Sequence, residues 1–346
     1  MTLSTQKNNV YIVLGMSRSG TSAIARSLEA LGVNLGDQLL QGDTRNPKGF
    51  YEDADILYKI NRGVSAALNY QWLDLDTTDK QIEADVKLRD YKNYAVGLLC
   101  EKFMTTSSWG FKDPRTVTIL PFWQSVFQTL DVDERYVLVI RNPLAAAHSN
   151  NKFTDLDLEG GLLLWIKILM QMIDGTHDKK RIIVNYELML ENPSLQLERM
   201  HRDLNVREPL DRGRVNQYAT QFLDKKLRHH QFDEVDFRTH PAVMVAPICI
   251  KMYDLVMKLA RDEITFESEQ FKNDWCELKD EYARINPVHA YIELLQRRNK
   301  QLSREVRTIR KSFPYKLIYP LRMIDDALRG FRKKSRNRSR EIYEVE

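Results

Sequence analysis

Cysteine is scarce in this chain. The three present, Cys100, Cys249 and Cys276, are odd in number, widely spaced and without a CxxC pair. That excludes a disulfide framework and a cysteine-bound zinc site, and fits a reducing compartment. Long apolar runs are missing too: none reaches the roughly 18 residues of a membrane span. The opening MTLSTQKNNV leads straight into the first apolar stretch, with no room for a signal peptide, so the expected location is cytoplasmic. The body of the chain also lacks basic excess. Before Arg297 it carries 36 Lys/Arg and 42 Asp/Glu, whereas Arg297 to Arg340 carries 16 against 3. The net charge of +4 is therefore a property of the C-terminal appendage.

The most telling absence is a lysine. Residues 10–28, VYIVLGMSRSGTSAIARSL, read as an apolar strand, a tight polar loop and the start of an amphipathic helix. This is the layout of a phosphate cradle, in which glycines allow close approach and a helix N-terminus offers free N–H groups to an anion. Gly15 and Gly20 have the spacing of a Walker A loop, but Thr21 stands where its lysine belongs, and the cation sits inside the loop at Arg18. The lysine-and-metal arrangement of ATP hydrolysis is missing, and no acidic metal cluster is evident, so no metal site is expected.

Strand-like runs alternate with helical ones along the rest of the body. After the Gly/Asn/Asp/Pro-rich stretch 32–52, helices are predicted over 53–68 and 81–103, a short strand at WGFKDPR, and a helix over 116–130. RYVLVI (135–140) and RIIV (181–184) read as buried parallel strands, each followed by helices, at 143–150, 158–174 and 192–204. Such alternation predicts an α/β sandwich with a parallel central sheet, whose ligands sit at the carboxyl ends of the strands. A polar stretch within 217–245 is expected to form a loop or lid. From Ile285 the pattern changes. Ile285, Val288, Ile292, Leu295, Asn299, Leu302, Val306, Ile309 and Phe313 recur in alternating steps of three and four, a heptad seam with Asn299 at an a position. The expected organisation is a nucleotide-binding domain over 8–245, its helical continuation over 246–284, a heptad helix over 285–313 and a basic amphipathic tail over 314–346.

Three further polar segments fall at strand ends: Arg141 with Ser149 after RYVLVI, Asn185-Tyr186-Glu187 after RIIV, and Lys112-Asp113-Pro114-Arg115. An arginine and a hydroxyl can clamp a phosphate remote from the first loop. Each segment taken alone has a structural reading as well, as an ion pair or a packed tyrosine.

Taken together, these residues resemble the nucleotide-dependent sulfotransferases, whose donor is 3′-phosphoadenosine 5′-phosphosulfate (PAPS) and whose nucleotide product is PAP. GMSRSGTSAIARSL is similar to the family's 5′-phosphosulfate loop, with arginine in place of lysine before Ser-Gly-Thr. LVIRNPLAAAHS is similar to its 3′-phosphate motif, with Arg141 and Ser149 at the family's spacing of eight. NPKGFYE, FKDPR…LPFW and VNYELMLENP resemble a bacterial carbohydrate-type branch, and the likeness spans about Val10 to His230.

The resemblance implies a P-loop-like three-layer α/β sandwich with a C-terminal helical, coiled-coil extension. Arg18, with the N–H groups of Ser19, Gly20, Thr21 and Ser22, would hold the 5′ group, and Arg141 and Ser149 the 3′ phosphate. Tyr186 would contact the donor, Lys112 would stabilise the leaving group, and Arg115 would serve donor or acceptor. Many cytosolic members carry histidine two residues after that lysine, where this chain has Pro114. The general base is then expected among Glu52, Asp55 and Asp113. Lys225, Arg228, His229 and His230 reach over nucleotide or acceptor, or form a charged surface loop.

The implied acceptor is a saccharide or glycolipid hydroxyl, with exposed aromatics near 70–72 and in 221–232 (Phe222 and Phe232) as candidates to stack on a sugar. The Asn299-bearing seam points to a parallel homodimer, with packing on the chain's own domain as the competing reading. The tail suits an anionic membrane surface and peripheral attachment. It lacks a folded nucleic-acid reader, so no nucleic acid is expected. A P-loop kinase-like enzyme and a non-catalytic coiled-coil scaffold are the other two readings.

Overall fold

The run Asn9–Gly15 is apolar after its first residue, and it forms β1, a strand buried along its whole length. In the computed structural model, which describes residues 7–44, 46–68, 86–154, 156–223 and 234–311, β1 lies inside a four-stranded sheet. Its neighbours are β2 (Ser108–Lys112) and β3 (Asp133–Ile140), and β4 (Lys180–Asn185) lies beyond β3. All three pairings are parallel, with Val13 opposite Lys112 and Val137, and Val139 opposite Val184. The chain leaves β1 toward β2, then crosses back over β1 to β3. That reversal opens a crevice at the carboxyl ends of the strands.

Helices cover both faces, so the predicted α/β sandwich is the observed fold. Alternate residues of a strand face opposite sides. Tyr11, Val13, Val137, Val139, Ile182 and Val184 join one buried cluster with α1 (Thr21–Ala30) and later helices. Before β2 come α2 (Arg62–Ala67) and α3 (Arg89–Phe103); α4 (Leu120–Leu130) links β2 to β3. Aromatic packing joins β2 to α4, with the Phe111 and Trp123 ring centroids 4.8 Å apart.

Between β3 and β4 run α5 (Pro143–Asn151) and the largely buried α6 (Leu158–Gly175). Then follow α7 (Tyr186–Glu191), α8 (Pro193–Asp203) and α9 (Arg212–Gln217). Asn142, Asp157, Asn185, Asn192 and Asp211 each accept a hydrogen bond from the first turn of the helix they precede. These are the side-chain N-caps expected of Asn and Asp.

Two stretches differ from the sequence expectation. The helix predicted over 53–68 winds with π spacing over Ile56–Asn61 before α2. Asn61 is thereby buried, where it donates to Asp113 and accepts from Trp123 Nε1, each at 2.9 Å. Second, the described part of 217–245 is not a polar lid. Tyr218–Phe222 is a packed π-type turn, and α10 (Glu234–Thr239) and α11 (Pro241–Val245) bury Phe237 and Val243. One apolar residue per turn is enough to anchor such short helices, a signal too sparse to read in a charged sequence.

After α12 (Ile248–Ala260) comes α13 (Glu269–Lys311). By contacts the chain divides into two compact units, Met1–Pro287 and Val288–Glu346. Within the first, Trp275 of α13 donates to Asp174 Oδ1 at 2.8 Å. Among the described residues no helix is long and apolar enough to cross a membrane. The tail expected over 314–346 lies outside the described residues.

Asp262, after α12, joins α8 to the body. It accepts from Arg199 at 2.6 and 3.0 Å and from Arg202 at 2.9 Å. The Arg199 bonds lead in holding its carboxyl below the usual Asp range. A depressed folded-state pKa adds stability that is fully present above the unfolded value, about 3.9, and is lost as pH falls through the folded one. Asp262→Asn keeps the left-handed φ of 58° accessible. It is expected to lower the melting temperature at pH 7 by roughly 2–4 °C, a modest effect because the carboxylate is partly solvated. The gap from wild type should narrow below about pH 4. Thermal unfolding of both proteins from pH 7 to pH 3 measures it.

Candidate active site

All four strands deliver polar residues to one edge of the sheet. Gly15 opens the first loop, Lys112 ends β2, Arg141 follows β3 and Tyr186 follows β4. The first loop, Lys112, Arg141 and Tyr186 line a cleft of about 320 Å³. Among the described residues its lining includes six cations (Arg18, Lys48, Arg62, Lys112, Arg115 and Arg141) and a single carboxylate, Glu52. Low-dielectric walls carrying one sign of charge concentrate field, so the cleft favours an anion.

The first loop is built to expose its backbone. Ser19 N–H donates to Met16 O at 3.2 Å and closes the turn, so it is not the open donor that the sequence suggested. Gly20 adopts φ 83° as the N-cap of α1, and no side chain caps that helix. The helix's first-turn N–H groups, on Thr21 and Ser22, therefore face the cleft unclaimed by a capping side chain, unlike the helices with Asn or Asp caps. Ser22 Oγ is held in place, donating to Phe50 O and accepting from Asn46 Nδ2, both at 3.0 Å. The Ser19 side chain is buried, and its Oγ has no hydrogen-bond partner among the described residues.

The Tyr186 ring lies flat against Gly20. A Cβ there would meet Tyr186 Cδ2 at 2.2 Å, so the glycine is required twice, by its φ and by the ring. Tyr186 also carries the Arg141 guanidinium, 5.3 Å from the ring centroid, within cation–π range. Arg141 Nε lies 3.4 Å from Glu187 Oε1, and its Nη1 donates to Arg18 O at 3.1 Å. Arg18, itself at φ 70°, sends its Nε to Ser149 Oγ at 3.2 Å and sits 4.7 Å over the Phe153 ring. Ser17 Oγ donates to Asn150 Oδ1 at 3.2 Å. Arg18, Arg141 and Ser149, brought together from two strand ends more than 120 residues apart in sequence, thus form one cluster joined to the first loop.

Next to the first loop, at the end of β2 and so on the side of β1 away from Arg141, lies a buried ion pair. Lys112 Nζ donates to Glu52 Oε1 at 2.7 Å and to Phe50 O at 3.0 Å, with the two residues only 3% and 7% exposed. Arg115 Nη1 is 3.9 Å from the other Glu52 oxygen. Tyr51, at φ 54°, turns the chain so that Glu52 points inward.

The three candidate bases separate here. Glu52 lines the cleft. Asp55 does not; it pairs with Lys59 at 2.8 Å. Asp113 Oδ1 accepts from the N–H and Nη1 of Arg115, and its Oδ2 from Asn61, all at 2.9 Å, so it is a fully bonded structural carboxylate.

Some site residues carry no sequence signal strong enough to assign them a role. These are Glu187, Phe153, Asn46, Lys48, Tyr58 and Arg62, although Asn46 and Lys48 fall in the motif NPKGFYE. Phe222 lines the cleft, yet it packs 5.6 Å from both Tyr51 and Tyr218 and carries Lys48 at 5.3 Å. Its ring is largely used in packing. Lys225, Arg228, His229, His230 and Phe232, and the aromatics at 70–72, lie outside the described residues. Among the described residues no group of three His, Cys, Asp or Glu side chains is placed to hold a metal ion.

No family model and no curated protein sequence matches the chain. Among solved structures it is similar to the sulfotransferase domain from the Synechococcus PCC 7002 olefin synthase. The identity is 15% and the TM-score 0.38, over 81% of this chain and 96% of that one. It is also similar to the sulfotransferase domain from the curacin biosynthetic pathway, at 14% identity and a TM-score of 0.39, over 62% of this chain and 78% of that one.

Gly20→Ala is expected to destabilise the first unit, through left-handed strain and the Tyr186 clash. Gly20→Ala/Tyr186→Ala removes the clash but not the strain, so its melting temperature should lie above that of Gly20→Ala. Differential scanning fluorimetry of the wild type and both variants tests this; equal melting temperatures for the variants would refute the contact.

Proposed function

We propose that this chain is a PAPS-dependent sulfotransferase, transferring a sulfuryl group to an acceptor hydroxyl. The observation that carries the reading is the pair of cationic stations in one cleft, with the Lys112–Glu52 pair beside the first of them at the end of β2. PAPS bears phosphate-type groups at both ends of an adenosine, and the cleft offers a match for each end. The uncapped start of α1, close-packed at Gly20, suits the 5′ group. Arg141 and Ser149 suit the 3′ phosphate, and Arg18, expected at the 5′ group, reaches instead to Ser149 and joins that end. The donor supplies an activated sulfuryl group whose departure leaves negative charge on a phosphate oxygen.

The chain's own residues account for the remaining requirements. Sulfuryl transfer, like phosphoryl transfer, spreads charge in its transition state, so positioning and cationic stabilisation dominate. An acceptor oxygen bonds to sulfur as the sulfur–oxygen bond to the phosphate breaks, and Glu52 takes the hydroxyl proton. Lys112, already within 2.7 Å of Glu52, stands where it can neutralise the departing oxygen. The buried position of the pair excludes water and strengthens both interactions. Arg115 orients the Glu52 carboxylate from the other side. The acceptor we favour is a saccharide or glycolipid hydroxyl. The cleft rim supports it with Tyr58, half exposed and stacked on Arg62 at 4.6 Å, an amphipathic platform of the kind that packs on sugar rings.

Isothermal titration with PAP, without metal, should show micromolar affinity, weakened roughly 10- to 100-fold in Arg141→Ala and Arg18→Ala through loss of charge-assisted hydrogen bonds. Tight magnesium-dependent ATP binding with no PAP binding would overturn the assignment in favour of a kinase-like enzyme. In a labelled-PAPS acceptor screen, Glu52→Gln should lower turnover about 10²- to 10⁴-fold while PAP affinity stays within a few-fold of wild type. Undiminished turnover would remove Glu52 as the base.

A further inference from the structure

The second unit carries an apolar stripe unrelated to the cleft. Every residue of α13 from Gln301 to Lys311 is solvent-exposed, and the seam side chains Leu295, Leu302, Val306 and Ile309 are 44%, 58%, 46% and 56% exposed. With Asn299 at an a position, Ile292 and Val306 are also a residues, and Val288, Leu295, Leu302 and Ile309 are d residues. Scattered exposed apolar residues need no explanation, but a continuous stripe on one helical seam marks an interaction surface.

We infer that this stripe is a parallel, in-register coiled-coil interface with a second copy of the same chain. Three features select that partner and that orientation. First, β-branched residues flank Asn299 at a, and leucines hold two of the four d positions, a combination that favours two strands. Second, only a parallel in-register pair places Asn299 opposite Asn299. An antiparallel pairing sets a against d and buries the amide against leucine, leaving it without a partner. Third, the flanking charges are self-complementary. In the parallel arrangement Glu305 at g faces Arg310 at e of the partner helix.

The same heptad assignment puts Arg297, Lys300, Arg304, Arg307 and Lys311 at b and f, the outer face. Between Val288 and Lys311 there are seven Lys/Arg and two Asp/Glu, so the two helices repel at long range. Added salt screens that repulsion, and the dimer should tighten rather than loosen as ionic strength rises. The interface belongs to the second unit alone and stands apart from the proposed chemistry of the cleft.

Sedimentation of the full chain at micromolar concentration should give a dimer. Leu302→Glu/Val306→Glu should weaken it about 100-fold or more, since each copy loses two buried apolar side chains. The same variant should keep the wild-type PAP titration, which shows that the first unit remains folded. A Val306→Cys variant, in a Cys100→Ser/Cys276→Ser background, should form an intermolecular disulfide on oxidation, because a residues face their own copies only in parallel pairs. A monomeric wild type overturns the inference. So does a dimer indifferent to the glutamates, and a Val306→Cys variant that fails to cross-link overturns the parallel register.

Discussion

Parallel pairing forces the carboxyl ends of all four strands to the same edge of the sheet, and the polar cleft follows from that constraint. Four segments far apart in sequence converge there because β1, β2, β3 and β4 run in one direction and stop at nearly the same level. The strands themselves are almost wholly apolar near these ends, so each can sit buried under helices on both faces. The polar residue that follows each strand is then the first to meet the cleft. Lys112, Arg141 and Tyr186 stand at or just past the ends of paired strands, which gives the cluster a rigid base.

Gathering so many cations at one edge has a cost that the local structure offsets. Buried charges are unfavourable unless paired or hydrogen-bonded. Lys112 is matched by Glu52 and the Phe50 carbonyl, Arg141 by Glu187 and the Arg18 carbonyl, and Arg115 by Asp113. Asp113 is supported in turn by Asn61, which the π-wound turn before α2 brings inward. Glu52 differs from the other two carboxylates because it lines the cleft while it pairs. A carboxylate with that dual exposure can both neutralise the lysine and accept a proton, whereas Asp113 is fully engaged in structure.

How legible the molecule was depended on the length scale of each signal. The strands, most helices, the order of the motifs and the Arg141–Ser149 spacing could be read because each is a local pattern in a short window. Glu52 as the cleft carboxylate could be named but not separated from Asp55. The two lie within one turn of each other, and only the left-handed turn at Tyr51 and the Asp55–Lys59 pair decide between them. Glu187 was named with its strand end but without a partner, and Phe153 was invisible, because each holds an arginine that arrives from another strand. The packed turn and short helices of the described part of 217–245 looked like a loop because their anchors are single residues set in charged sequence. Phe222, read as a surface aromatic, is occupied by Tyr51 and Tyr218.

The two anion stations are not independent. Arg141 donates to the carbonyl of Arg18, and the Arg18 side chain reaches the hydroxyl of Ser149. In the proposed reading, the arginine that would face one phosphate therefore helps to set the left-handed backbone that shapes the loop for the other. Tyr186 closes the circuit, packed on Gly20 and stacked under Arg141. Residues that share partners in this way give non-additive energies. Removing Arg141 loses a cation and also loosens the Arg18 carbonyl, so its effect exceeds that of one missing contact. In Arg18→Ala the carbonyl bond survives while the guanidinium is lost. Comparing the two separates the charge a ligand meets from the geometry that presents it. The loop without a Walker lysine then reads as half of a single site, whose other half arrives on a neighbouring strand.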